Sequence, residues 1–154
     1  MESIEKKLRQ AVDAFNEENY QVSFNIFKPL AEQGNAKAQF YLGFLYRIGQ
    51  TVNQDYYQAY HWYLLSAEQG YAVAQYKIGL MHYKGQVVDK NYQKAFKWYS
   101  LAAEQGDPKA QFNLGVLYRR AQGVTQDHEK ALTWFLAAGE QGYAIAQFTL
   151  GGIY

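Results

Sequence analysis

The 154 residues, 49% of them apolar, suffice for one ordinary domain with a sizeable core and no staples. Fifteen Lys and Arg against 14 Asp and Glu leave a formal net charge of +1, so no single-signed field draws the chain to nucleic acid or an anionic membrane. The absence of cysteine excludes disulfides, thiolate zinc sites and a cysteine nucleophile. No apolar run is long enough to span a bilayer and no leader-type segment opens the chain, which reads as cytoplasmic, or periplasmic if a leader has been removed.

Glycines set the organisation. Gly34, Gly70, Gly106 and Gly142 recur at a fixed 36-residue period, as do Gly43, Gly79, Gly115 and Gly151. Ala38-Gln39, Ala74-Gln75, Ala110-Gln111 and Ala146-Gln147 follow the same period, with Trp62-Tyr63, Trp98-Tyr99 and Trp134-Phe135 in the second half of each unit. A period of this length means stacked supersecondary units that share their cores. The expected organisation is a single solenoid domain over 1–154: a degenerate helix pair over 1–34, repeats over 35–70, 71–106 and 107–142, and the first helix of an incomplete repeat over 143–154.

In the degenerate pair, Phe24, Ile26 and Phe27 lead into Leu30-Ala31-Glu32-Gln33-Gly34, and Pro29 is expected to kink the second helix. In the full repeats, Asn35 and Asp107-Pro108 start first helices by offering a side-chain acceptor to orphan amides. Gly49, Gly85 and the Ala121-Gln122-Gly123 segment mark the break, and Asp55, Asn91 and Asp127 cap the second helices. The glycine of Glu-Gln-Gly ends them. Gly43, Gly79 and Gly115 sit in mid-helix, where glycine costs roughly 1 kcal/mol against alanine, so a close-packed partner helix is expected there, with the Trp rings filling gaps beside it. Glu32, Glu68, Glu104 and Glu140 oppose the helix dipole, and each is expected to face the amino end of the next repeat's first helix. The last unit stops after one helix, leaving Leu150, Ile153 and Tyr154 to seek cover, which suggests a homodimer through an uncapped C-terminal helix or a fragment of a longer array.

The pattern Leu-Gly-x-Leu-Tyr through Ala-x-x-Trp-Tyr/Phe to Glu-Gln-Gly, clearest at Gly43-Phe44-Leu45-Tyr46 and Gly115-Val116-Leu117-Tyr118, resembles the Sel1-like repeat, a relative of the tetratricopeptide repeat. His82 stands where Tyr46 and Tyr118 recur, and Ala121 takes a loop-glycine place. The resemblance implies an all-α, right-handed superhelix of antiparallel helix pairs that acts as an adaptor for proteins or peptides, with no reaction and no cofactor.

The residues themselves offer little chemistry. His61, His82 and His128 fall at unrelated repeat offsets without ligand spacing, and Ser3, Ser23, Ser66 and Ser100 lie in no nucleophile motif. The chain is read as a non-enzymatic interaction scaffold. The alternatives are a regulator or immunity-type protein that blocks a toxin or effector, and a hydrolase acting on cell-wall-like substrates.

Helical geometry places Ala38, Gln39, Leu42, Gly43, Leu45 and Tyr46 in one sector, expected to be buried. Phe40, Phe44 and Arg47 occupy the adjoining sector, with equivalents Tyr76, Leu80 and Tyr83, then Phe112, Val116 and Arg119, then Phe148. These residues are the candidate partner groove: a ladder of the rings at 40, 76, 112 and 148, flanked by Arg47 and Arg119. Rings and guanidinium groups suit a peptide with acidic residues or a free carboxyl end.

Overall fold

The computed structural model describes residues 1–153, and among them every regular element is a helix. Nine are described: α1 (Ile4–Asn16), α2 (Tyr20–Glu32), α3 (Ala36–Ile48), α4 (Tyr56–Glu68), α5 (Ala72–Lys84), α6 (Tyr92–Glu104), α7 (Pro108–Arg120), α8 (His128–Glu140) and α9 (Ala144–Ile153). The fold class is the all-α helical repeat that the 36-residue period requires. The chain divides into two compact units, Met1–Ala74 and Gln75–Tyr154, with the first three residues of α5 in the first and the rest in the second.

Helix starts follow the sequence chemistry closely. Asn35 accepts a hydrogen bond from the Ala38 amide at 2.9 Å, and Asp107 does the same for Ala110 at 2.9 Å, with Pro108 in the first turn. Asp55 accepts from both Tyr57 and Gln58, Asn91 from Lys94, and Asp127 from Lys130. At the other end, Gly34, Gly70, Gly106 and Gly142 adopt φ between +82° and +98°, the left-handed turn that closes each second helix. α2 runs without a break through Pro29, which is exposed.

In unit 1 the core gathers Ala11, Phe27, Leu30, Ala31, Ala38, Leu42 and Leu45. In unit 2, Ile78, Tyr99, Leu114, Leu117 and Phe135 are buried with Ala95, Ala110, Ala131 and Ala138. The sector expected to be buried on α3 is buried at Ala38, Gln39, Leu42, Gly43 and Leu45, while Tyr46 is half-buried.

The mid-helix glycines are explained by the second helix of the same pair. A Cβ on Gly43 would sit 2.9 Å from the Tyr63 ring and 3.0 Å from the Ala59 carbonyl oxygen; on Gly115 it would sit 2.6 Å from the Phe135 ring. The ring in each notch is therefore the residue after the tryptophan, not the tryptophan itself. Trp62, Trp98 and Trp134 lie half-buried at the margin. The reason is geometric: Ala59 and Tyr63 are four residues apart, so they share the helix face that meets the glycine, and Trp62 is turned from it.

The recurring acids also behave differently from expectation. Glu32, Glu68, Glu104 and Glu140 are all exposed, and the neighbouring glutamines make the ties instead. In unit 1 the Gln69 amide donates to Gly34 O and to Gln39 Oε1, both at 2.8 Å, and Gln39 in turn donates to Ala31 O. Unit 2 repeats the motif with Gln141 donating to Gly106 O and Gln111 Oε1, and Gln111 donating to Ala103 O. A neutral amide both donates and accepts, so it can join a buried carbonyl to a second side chain; a carboxylate there would leave donors unmet and a charge to desolvate.

On α9, Phe148 and Ile145 are exposed and Ala146 is buried. Nothing lies within 4 Å of a Cβ built on Gly151. Tyr154 lies outside the described residues, as does the side chain of Ile153.

Candidate functional site

The ten groove candidates have different surroundings in the two units. In unit 1, Phe40 is only 7% exposed, because the Tyr63 and Tyr71 rings lie over it at 5.6 and 5.5 Å. It is a core ring and not a ligand-facing one. The helical wheel located its sector correctly but could not show that Tyr71, from the turn after the second helix, closes over that sector. Phe44 is half-buried beside Phe15 at 5.2 Å, and the Arg47 guanidinium lies 4.6 Å over the Phe44 ring. Unit 1 has thus filled this sector with its own rings. Burial pushes the Tyr63 phenol up to about 12 despite the Arg47 charge beside it.

Unit 2 is different. Leu80 and Tyr83 of α5 and Phe112, Val116 and Arg119 of α7 come together around a cleft of about 280 Å³. Tyr99 of α6 and Asn113 of α7 complete its wall, and Lys84 and Arg120 stand at its edge. Half the sequence candidates therefore meet at one place. Tyr76 stacks on Tyr99 at 6.0 Å beside this group, with the Lys109 ammonium 6.0 Å from its ring. Phe148 is 85% exposed on α9 and takes no part.

Each wall of the cleft has a physical reason. α7 presents Phe112, Val116 and Arg119 at spacings of four and three residues, so they share one stripe. Phe112 is anchored from behind by Phe135 at 5.3 Å and Tyr143 at 5.7 Å, which makes it a fixed surface. Tyr83 donates its hydroxyl to Gln122 Oε1 at 3.2 Å, holding its ring at the α5 side. Arg119 lies 5.5 Å from the Phe135 ring centroid, which restrains the guanidinium by cation–π contact. Three cations and no carboxylate border the cleft. Sequence reasoning missed Tyr99, Asn113, Lys84 and Arg120; the signal for the two cations was present, since each directly follows a candidate already chosen, Tyr83 and Arg119.

Tyr99 is the chemically distinctive member. Its side chain is 1% exposed, yet its hydroxyl is buried without a hydrogen-bond partner. Burial raises its pKa, with Asn113 opposing, so it remains a protonated phenol and a donor. Among the described residues no group of three or more His, Asp or Glu could hold a metal ion, and no helix is long and apolar enough to cross a membrane.

The repeat period, the glycine–ring notches and the glutamine ties define a protein of stacked helical pairs. The family model for the Sel1 repeat matches residues 36–71, 72–107 and 108–143, and the chain belongs to that family. A protective antigen of uropathogenic Escherichia coli with an SLR fold is similar at 33% identity and a TM-score of 0.89, over 99% of this chain and 33% of that one. A Sel1 repeat protein of Oxalobacter formigenes is similar at 30% identity and a TM-score of 0.89, over 99% of this chain and 64% of that one. An immunity protein of Pseudomonas aeruginosa shares the fold at 20% identity and a TM-score of 0.52, over 93% of this chain and 67% of that one. No curated protein matches the sequence significantly. The chain spans a third and just under two thirds of the first two similar structures. Sel1-repeat proteins commonly serve as protein-interaction scaffolds and are generally not enzymes.

Proposed function

We propose that this protein is a non-enzymatic interaction module that binds a segment of a partner protein in the unit 2 cleft, through apolar contact with Leu80, Phe112 and Val116 and through an acidic group met by Lys84, Arg119 and Arg120. The observation that carries the reading is the composition of that cleft: a fixed aromatic and aliphatic wall bordered by cations alone. Arg119 and Arg120 can each engage a carboxylate with two parallel hydrogen bonds, and the partly desolvated setting strengthens such pairs. Anchored rings beside arginines are also the residue types that dominate binding energy at protein interfaces.

The test is selection from a random peptide library on the purified chain, followed by competition with the charge-reversed pair Lys84→Glu and Arg120→Glu. Both residues are exposed, so the variant keeps its fold. Enrichment of acidic peptides that the variant no longer retains supports the reading. Peptides retained equally by both proteins would move the binding surface elsewhere.

A further inference from the structure

α6 and α7 lie 72 residues after α2 and α3, twice the 36-residue repeat, while α5 lies 68 after α1 because the loop that follows α1 is four residues shorter. Tyr99 corresponds to Phe27, Asn113 to Tyr41 and Val116 to Phe44. In unit 1, Tyr41 stacks on Phe27 at 4.8 Å with the rings 2° from parallel. Phe15 then packs edge-on against Tyr41 at 5.1 Å and against Phe44 at 5.2 Å. Three rings fill the place that corresponds to the unit 2 cleft.

Unit 2 keeps the floor and removes the filling. A carboxamide replaces the stacked ring at Asn113 and an isopropyl group replaces the second at Val116, while the Phe15 ring has its counterpart in Tyr83. The border changes in the opposite direction. Asn16 and Ile48 of unit 1 correspond to Lys84 and Arg120, so one neutral and one apolar neighbour become cations just where the rings are lost. Loss of packing alone would destabilise the unit without reason; loss of rings together with gain of like charge makes a receptor for something that brings a ring and a negative charge.

We propose that the unit 2 cleft is a subsite for one aromatic side chain of the bound segment, seated where unit 1 seats its own Tyr41 and Phe44, with an adjacent carboxylate held by Lys84, Arg119 and Arg120. This rests on the partner-binding reading above and adds the chemistry of the anchor. The size fits: an apolar cavity of roughly 150 Å³ already admits benzene, and this cleft offers about 280 Å³. The unpartnered Tyr99 hydroxyl is a buried donor at the wall, available to a carbonyl or carboxylate oxygen beside the ring.

The experiment is a nitrogen-15 NMR titration of the full chain with three small probes: N-acetyl-phenylalanine, N-acetyl-alanine and phenylacetamide. N-acetyl-phenylalanine should shift the amides of Leu80, Tyr83, Asn113 and Val116 and bind at least tenfold more tightly than N-acetyl-alanine. Phenylacetamide should shift the same amides more weakly. The double variant Asn113→Tyr with Val116→Phe restores the unit 1 rings and should abolish all three responses; an unchanged amide spectrum away from the cleft shows that it has folded. The charge-reversed variant at Lys84 and Arg120 should weaken both N-acetyl amino acids, which carry a carboxylate, and leave the response to the neutral phenylacetamide unchanged. Equal response to N-acetyl-alanine and N-acetyl-phenylalanine overturns the ring subsite while leaving an anion-binding cleft. Shifts confined to other parts of the chain, or no shifts, also overturn it. Library peptides retained by the charge-reversed variant sink the partner reading separately, whatever the probes do.

Discussion

Gln141 and Gln111 are thirty residues apart in sequence and joined side chain to side chain at 2.8 Å, with Gln141 also reaching Gly106 O at the same distance. The pair ties the end of α8 to the start of α7. Gln111 is 6% exposed, so its carboxamide depends on these partners. Gln141→Ala should cost about 1–2 kcal/mol in urea unfolding, chiefly by leaving buried acceptors unmet. Combining it with Gln111→Ala should cost less than the two single losses added, giving a coupling of about 0.5–1 kcal/mol in a double-mutant cycle. Strict additivity would show that the bond is incidental to stability.

Two chemically identical substitutions in equivalent helical positions should have opposite signs. Gly115→Ala puts a methyl group 2.6 Å from the Phe135 ring, which is 1% exposed and has nowhere to go. The expected loss is about 1–3 kcal/mol, larger than the helix-propensity gain of about 1 kcal/mol. Gly151→Ala meets nothing within 4 Å and should raise stability by up to about 1 kcal/mol. Thermal unfolding of the two variants beside the parent decides it.

Ala121 ends α7 with φ +54°, a left-handed conformation that Gly49 supplies after α3. An L side chain is strained there. Ala121→Gly should therefore stabilise by about 0.5 kcal/mol, the relief of strain offset in part by the greater freedom of glycine in the unfolded chain. A lower melting temperature for this variant would contradict the account.

His82 is 5% exposed, and its pKa is lowered, first by burial and then by the positive charge of Lys94, with a hydrogen bond at the Asp89 main chain opposing. The unfolded chain therefore binds the proton more readily. This contribution to stability is complete above the ordinary histidine value of about 6.5 and declines as pH falls from there toward the folded value. His82→Tyr, which installs the residue found at 46 and 118, should flatten the dependence of melting temperature on pH between about 7 and 5. A parent profile that is already flat would refute it.

The fold was legible because helical repeats write their geometry into every period. The caps at Asn35, Asp55 and Asp127, the terminal glycines and the buried stripe on α3 are local or nearest-neighbour features, and sequence spacing determines them. The tie through glutamine was missed because Glu and Gln stand side by side, and only the packed chain shows which reaches inward. The groove was half legible for a related reason. A helical wheel gives the sector but not what lies opposite, so Phe40 and Phe112 look equivalent in sequence although Tyr71 closes over one and the other borders a cleft. Tyr99 recurs in the sequence only as the partner of Trp98; that its ring is buried and its hydroxyl lacks a hydrogen-bond partner is visible only in the packed chain.

The glutamine ties reach back across each Glu-Gln-Gly junction to main-chain oxygens, Ala31 and Gly34 at one seam and Ala103 and Gly106 at another. Every polypeptide offers those oxygens, whatever its side chains. At these two seams the polar half of the joint therefore asks nothing of the preceding repeat's side chains, so drift in those side chains is constrained by packing alone.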